Sequence, residues 1–139
     1  MIRLIFMDIF GIGSYLGIGE VANKFIADNV VGSDWKNCDA PDIHQFIISL
    51  KVGDIIFIKS CSARSKSIYV KAIGFIKDEE ILTVTQIPYF EIGRNVLWKY
   101  TGKALPIPIP KHGKNNVRAN TIYQEFHPDV QAEILKNLH

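Results

Sequence analysis

Nucleophilic and cationic side chains gather between residues 59 and 66, in the order Lys-Ser-Cys-Ser-Ala-Arg-Ser-Lys. Hydroxyl and thiol groups become catalytic nucleophiles when a general base lies close to them, and no histidine or carboxylate accompanies this stretch. The run Asp78-Glu79-Glu80 is typical of a solvated turn, and the four histidines are too scattered along the sequence for a metal site. The sequence therefore predicts a protein that is not an enzyme and has no cofactor and no metal.

A second pattern with chemical meaning is Gly11-x-Gly13-x-x-x-Gly17, with Asp34 further along the chain. In dinucleotide-binding folds, such glycines hold a pyrophosphate at a helix N-terminus, and the acidic residue accepts a hydrogen bond from a ribose hydroxyl. Here the third glycine comes one place late, because Leu16 occupies the required position. A bend between a strand and a helix is the preferred interpretation, and nucleotide-cofactor binding through Gly11–Gly17 is the least favoured alternative.

A hairpin over residues 51–77 is predicted to be the centre of the fold. Val52-Gly53-Asp54 is a turn signal, and the apolar run Ile55–Ile58 predicts a strand covered on both faces. Ser60–Ser67 suits a loop tip, and the return strand continues to Lys77. Gly74 inside that strand indicates a bulge or a close backbone approach.

The other elements follow from apolar spacing and from turn residues. We expect strands at Ile2–Phe10, Val30–Trp35, Ile81–Ile87 and Asn95–Tyr100, and a break at Gly11–Ser14. Helices are expected around residues 18–26 (ending at Asn29), after Asp39-Ala40-Pro41-Asp42, and from His127-Pro128-Asp129. Proline at positions 106, 108 and 110 predicts an extended surface strap rather than a central strand.

Together these elements predict an α+β fold: a small curved or closed mixed β-barrel with two N-terminal helices and a C-terminal helix. The 139 residues suit one domain (residues 1–139), with the strap and last helix (101–139) packed on it. A net charge of +2 gives no global field that favours nucleic acid. No stretch is apolar enough to span a membrane, and Asp8 interrupts the apolar N-terminus that could otherwise resemble a signal peptide. The two cysteines are expected to be reduced thiols. Together these observations predict a cytoplasmic protein.

The order of these pieces resembles the PUA-like superfamily, nearest to EVE domains and the N-terminal modules of McrB-type restriction systems. The matching stretches are a helix and short strand ending in Val30-Val31-Gly32-Ser33-Asp34-Trp35, a second helix, Leu50–Lys59, Ile68–Ile76, and Gly93-Arg94-Asn95-Val96-Leu97-Trp98. The resemblance covers about residues 20–100 as a pattern of elements.

The resemblance implies a barrel with an aromatic pocket that binds modified or flipped bases of DNA or RNA. An extruded base needs flat apolar walls for stacking and a few polar groups for its edge. Base contacts are then expected from Trp35, Lys59, Ser60, Ser62 and Trp98. Phosphate contacts are expected from Arg64, Lys66 and Lys71.

A structural or protein-interaction domain is the main alternative. It would use the strap at Pro106–Pro110 or an exposed sheet edge to form a homodimer or to hold another protein. Independently of either hypothesis, Trp98 is also interpretable as a residue that fills the interior, and Arg64 and Lys66 as solvated loop charges.

Overall fold

A computed structural model describes residues 8–61, 66–109 and 117–138 of the chain. These residues form three α-helices and one short 3-10 helix: α1 (Ala22–Asp28), α2 (Pro41–Ser49), α3 (Pro128–Lys136) and the 3-10 helix Val117–Ala119. Their strands are β1 (Ile9–Gly13), β2 (Tyr15–Leu16), β3 (Gly19–Glu20), β4 (Val30–Ser33), β5 (Ile55–Ser60), β6 (Ser67–Thr83), β7 (Ile92–Tyr100), β8 (Leu105–Pro108) and β9 (Ile122–Gln124).

Seven of these strands form one mixed sheet in the order β4-β7-β6-β5-β1-β9, with β8 paired to β6. Strands β1 and β5 run parallel, and every other pair in this sheet is antiparallel. The pairing path among the described strands ends at β4 and β9, so the sheet does not close into a barrel. The predicted α+β class and the three helices are confirmed, whereas a closed barrel is not.

Strand β5 divides two hydrophobic cores, as its unbroken apolar run predicts. Ile56 and Ile58 belong to one core together with Phe25 of α1 and Ile47 of α2. Ile55 and Phe57 belong to the other core, which contains Val130 and Ile134 of α3 and Ile107 of β8. Helices therefore cover both faces of the sheet. Burial on two sides explains why β5 lacks the alternating pattern of a half-exposed strand.

The long strand β6 differs from the prediction in its length. It runs without interruption from Ser67 to Thr83, so a separate strand at Ile81–Ile87 is wrong, and turns fill most of the chain between β6 and β7. At Gly74 the register with β7 shifts, and an added Cβ would meet the Leu97 carbonyl oxygen at 2.5 Å. Both the bulge and the close approach predicted for this glycine are confirmed.

The N-terminal glycines lie inside a strand rather than at a bend. Gly11 and Gly13 belong to β1, and a Cβ on Gly11 would meet the rings of Tyr123 and Phe57 at 2.6 and 2.8 Å. The strand continues through Gly11 to Gly13, so the predicted break at Gly11–Ser14 is wrong. Gly11 is needed because the two aromatic rings leave no room for a side chain. The hairpin β2–β3 follows before α1 begins at Ala22; of the predicted strand Ile2–Phe10, residues 1–7 lie outside the described residues.

The end of α1, the start of α2 and the proline strap agree with the sequence, whereas α1 begins at Ala22 and the predicted start near Ile18 is wrong, because Ile18 is an exposed turn residue between β2 and β3. Asn29 ends α1 with φ of 56°, and Pro41 stands in the first turn of α2. His127 caps α3 by accepting a hydrogen bond from the Asp129 amide. Strand β8 pairs with β6 alone, as an edge strand containing proline should. Within the described ranges, no helix has the length and apolar character needed to cross a membrane.

Candidate functional site

A cleft of about 220 Å³ opens where the parallel strands β1 and β5 end side by side. Four stretches of the chain line it: the end of β1 with the hairpin β2–β3, the end of β4 with the two residues after it, the end of β5 with Cys61, and residues 119–121. These segments are far apart in sequence and meet only because β1 is inserted between β5 and β9. The cleft therefore depends on the order of the strands in the sheet.

Trp35 forms one wall of the cleft and is 49% exposed. It directly follows β4, and its amide donates to Ser33 Oγ at 3.2 Å. On the other side, His44 Nε2 of α2 lies 2.5 Å from the Trp35 carbonyl oxygen, so the ring nitrogen donates to it. The backbone of Trp35 is therefore held from both sides, while half of its side-chain surface remains open to a ligand.

Lys59 lies in the cleft as a buried cation, only 5% exposed. Its ammonium donates to the Asn120 carbonyl oxygen and stands 5.7 Å from the centre of the Tyr123 ring. No carboxylate of the described residues forms an ion pair with it. Burial lowers the pKa of Lys59 to about 8, and the nearby Cys61 opposes that shift.

Replacing Lys59 with methionine is expected to leave the protein at least as stable at pH 7, and up to about 2 kcal/mol more stable, because a desolvated charge is removed. The folded pKa lies below the unfolded value, so this charge destabilises the fold fully below about pH 8. The destabilisation by the Lys59 charge disappears as the pH rises from about 8 to about 10.5, the pKa of lysine in the unfolded chain. Urea unfolding at pH 7, 9 and 10 measures the difference.

The matched control for this prediction is Lys77→Met, which changes an exposed lysine of β6. It should alter the free energy of unfolding by no more than about 0.5 kcal/mol at any of these pH values. A Lys59→Met protein that is clearly less stable than the control at pH 7 would show that Lys59 stabilises the fold.

Glu20 of the hairpin β2–β3 is fully engaged in hydrogen bonds. It accepts from Ser14 Oγ at 2.5 Å and from the Ala22 amide at 2.9 Å, and Lys71 Nζ lies 3.0 Å from Oε2. Burial works to raise the pKa of Glu20, but the bonds from Ser14, Lys71 and Ala22 outweigh it and lower the pKa. Glu20 therefore fastens the hairpin to α1 and β6.

Asp34 also lines the cleft, between Ser33 and Trp35. Its Oδ2 accepts a hydrogen bond from the Gly17 amide at 2.6 Å. Among the hydrogen bonds of the described residues, Oδ1 accepts none. The cofactor hypothesis expected Asp34 to bind a ribose and Gly17 to approach a phosphate; instead these two residues bind each other.

The structure brings together part of the predicted set. Trp35, Lys59 and Ser60 line one cleft, whereas Ser62 and Arg64 lie outside the described residues. Lys66 is exposed, and Lys71 is paired with Glu20.

Trp98 stands apart from the cleft. Its indole packs against the core that contains Phe25, and Nε1 donates to the Phe25 carbonyl oxygen at 3.2 Å. This position fits the interpretation of Trp98 as an interior residue.

Sequence reasoning missed Glu20 and Asn120 altogether, and it considered Asp34 only as a ribose acceptor. Lys59 carried a signal, since it follows four apolar residues in a strand predicted to be buried on both faces. Nothing in the sequence places Glu20 or Asn120 beside it, because the strand order was not predicted.

In the described part of the chain, no three His, Cys, Asp or Glu residues are placed to hold a metal ion. Comparison with protein-family models, with curated proteins and with solved structures finds no match to this chain. The cleft itself therefore carries the functional argument.

Proposed function

We propose that the protein is a non-catalytic nucleic-acid-binding module that holds a modified or flipped base against the indole of Trp35. The observation that carries the proposal is a half-exposed tryptophan on the wall of a cleft that also contains polar groups. Aromatic side chains stack on bases because both present flat π-faces, and the polar groups can bind the base edge.

The size of the cleft supports a small planar ligand. At about 220 Å³ it is below the roughly 300–1,000 Å³ range of pockets for drug-sized molecules. A single base is a ligand of suitable size, with the sugar and phosphates remaining outside. Lys66 is exposed and can contact a phosphate, whereas Lys71 would first have to leave Glu20.

The proposal includes a cytoplasmic location and membership of the PUA-like superfamily, in an EVE-like branch with a small curved mixed sheet. The order of elements supports it: a helix, a short strand followed by Trp35, a second helix, then the strands β5, β6 and β7. The position of Trp35 on a cleft supports the aromatic pocket that this resemblance implies.

Replacing Trp35 with alanine is expected to weaken nucleic-acid binding about 5- to 150-fold, because base–aromatic stacking contributes about 1–3 kcal/mol per base. Gel retardation and tryptophan fluorescence at low salt measure binding, with single-stranded and duplex DNA and RNA, with and without modified bases. Low salt is chosen because it maximises the phosphate contribution.

Phe126→Ala is the matched control, since Phe126 is a 72% exposed aromatic at the opposite end of the β1–β9 pair. It should bind as the unmodified protein does. Lack of retardation and of a fluorescence change with every oligonucleotide tested would disprove the proposed function. Equal losses in Trp35→Ala and Phe126→Ala would disprove the role of Trp35.

A further inference from the structure

Building on the proposed base-binding role, we infer that the cleft selects keto bases, whose ring carries a carbonyl oxygen next to an N–H group, over adenine-type bases. Guanine, hypoxanthine and uracil belong to the keto class. Two groups of opposite character in the cleft carry the inference: the buried ammonium of Lys59 and the open Oδ1 of Asp34.

Lys59 provides a hydrogen-bond donor that lacks a complete set of acceptors. An ammonium group has three N–H donors. One is used by the Asn120 carbonyl oxygen, and the ring of Tyr123 takes a weaker cation–π contact. A buried charge with no carboxylate beside it is stabilised by a carbonyl oxygen of a ligand, and burial lowers the pKa of Lys59.

Asp34, which lines the same cleft, provides an acceptor. One carboxylate oxygen is fixed by the Gly17 amide at 2.6 Å, which sets the orientation of the group. The other oxygen can accept an N–H from a ligand. Glu20 cannot compete for this role, because Ser14, Ala22 and Lys71 already occupy its oxygens.

A keto base satisfies both groups at once. Its carbonyl oxygen accepts from Lys59, and its ring N–H donates to Asp34, while the ring stacks on Trp35. Adenine has no carbonyl oxygen, and placing its amino group at the same point would set a donor against the Lys59 ammonium. Such a site rejects an analogue because binding it would leave a buried polar group of the site without a hydrogen-bond partner.

The test compares two single-stranded oligonucleotides that differ only in one central base, inosine or adenosine. Hypoxanthine, the base of inosine, has nearly the same shape as adenine. Where hypoxanthine has a carbonyl oxygen and a ring N–H, adenine has an amino group and a ring nitrogen without a hydrogen. The expected result is that the inosine strand binds at least about tenfold more tightly. Guanosine and uridine strands should follow inosine.

Two substitutions should abolish the preference without abolishing stacking: Lys59→Met and Asp34→Asn. Asparagine keeps an oxygen for the Gly17 amide, so the local fold is preserved, and circular dichroism verifies it for both variants. Lys77→Met, the exposed control on β6, should keep the full preference.

The outcomes separate the two proposals. Equal binding of both strands, or tighter binding of adenosine, overturns keto selection and leaves base binding at Trp35 standing. A preference for inosine that survives in both Lys59→Met and Asp34→Asn also overturns it. If neither strand binds, the proposed function fails, and keto selection fails with it.

Discussion

Replacing Arg94 with methionine is expected to lower the free energy of unfolding by about 3–5 kcal/mol, because several backbone carbonyl groups lose their charged hydrogen-bond donor. Arg94 lies on β7 and is only 1% exposed. Its Nη1 donates to the carbonyl oxygens of Ile47, Ile48 and Leu50 at 3.0, 3.3 and 2.5 Å. These carbonyls come from the last turn of α2 and the residue after it.

The physical reason is that Arg94 performs the C-terminal capping that α2 lacks in its own sequence. The last turn of α2 has no basic residue. A cation at a helix C-terminus stabilises the negative end of the helix dipole and pairs carbonyl groups that have no partner in the helix. The second Nη of Arg94 donates to the Asp78 carbonyl oxygen at 2.8 Å, so the side chain also fixes β6.

Chemical denaturation of Arg94→Met, Arg94→Lys and the exposed control Lys99→Met checks this prediction. Lysine keeps the charge but not the planar fork, so Arg94→Lys should recover only part of the loss. Lys99→Met should stay within about 0.5 kcal/mol of the unmodified protein. An Arg94→Met protein as stable as Lys99→Met would contradict the capping role.

Local pattern was enough to predict much of the fold. The turn at Val52-Gly53-Asp54, the doubly buried β5, the stop at Asn29 and the proline start of α2 depend on residues close in sequence. The close approach at Gly74 was also predictable, since a glycine inside a strand usually has a packing reason. The extent of β6 was not, because the polar run Asp78-Glu79-Glu80 resembles a turn, whereas the strand continues through it and pairs with β7 again at Ile81–Thr83 after a register shift.

The candidate site was predictable only where a residue carried its own signal. Trp35 and Lys59 were predicted because the PUA-like resemblance implies an aromatic wall at the end of the short strand and polar base contacts at the start of the hairpin loop. Asn120, which binds Lys59, and Glu20, which lines the same cleft, come close to Lys59 because β1 pairs parallel to β5 and antiparallel to β9. Such long-range pairing leaves no trace in local spacing, so Glu20 and Asn120 were missed. The same holds for Arg94, whose partners in α2 lie 44–47 residues away.

Glu125→Gln is expected to destabilise the protein by about 3–5 kcal/mol and to weaken ligand binding at the cleft. Glu125 is 1% exposed and receives two hydrogen bonds from Arg118, Nε to Oε1 and Nη2 to Oε2, both at 2.7 Å. Burial works to lower the pKa of Arg118, and the hydrogen bonds and charge of Glu125 outweigh it and raise the pKa. The amide in glutamine cannot accept both bonds, so a buried guanidinium loses its carboxylate.

The effect should reach the cleft because Arg118 directly precedes the segment 119–121 that lines it. The Asn120 carbonyl oxygen in that segment accepts a hydrogen bond from the ammonium of Lys59.

Glu133→Gln is the control, since Glu133 forms an exposed ion pair with Lys136 that contributes at most about 0.5 kcal/mol. Urea unfolding gives the stability of each variant, and oligonucleotide titration at 10 °C, where the weakened protein remains folded, gives its affinity. Equal stability of Glu125→Gln and Glu133→Gln would refute the structural role of the pair. A destabilised Glu125→Gln protein with unchanged affinity would show instead that segment 119–121 is held in place without Arg118.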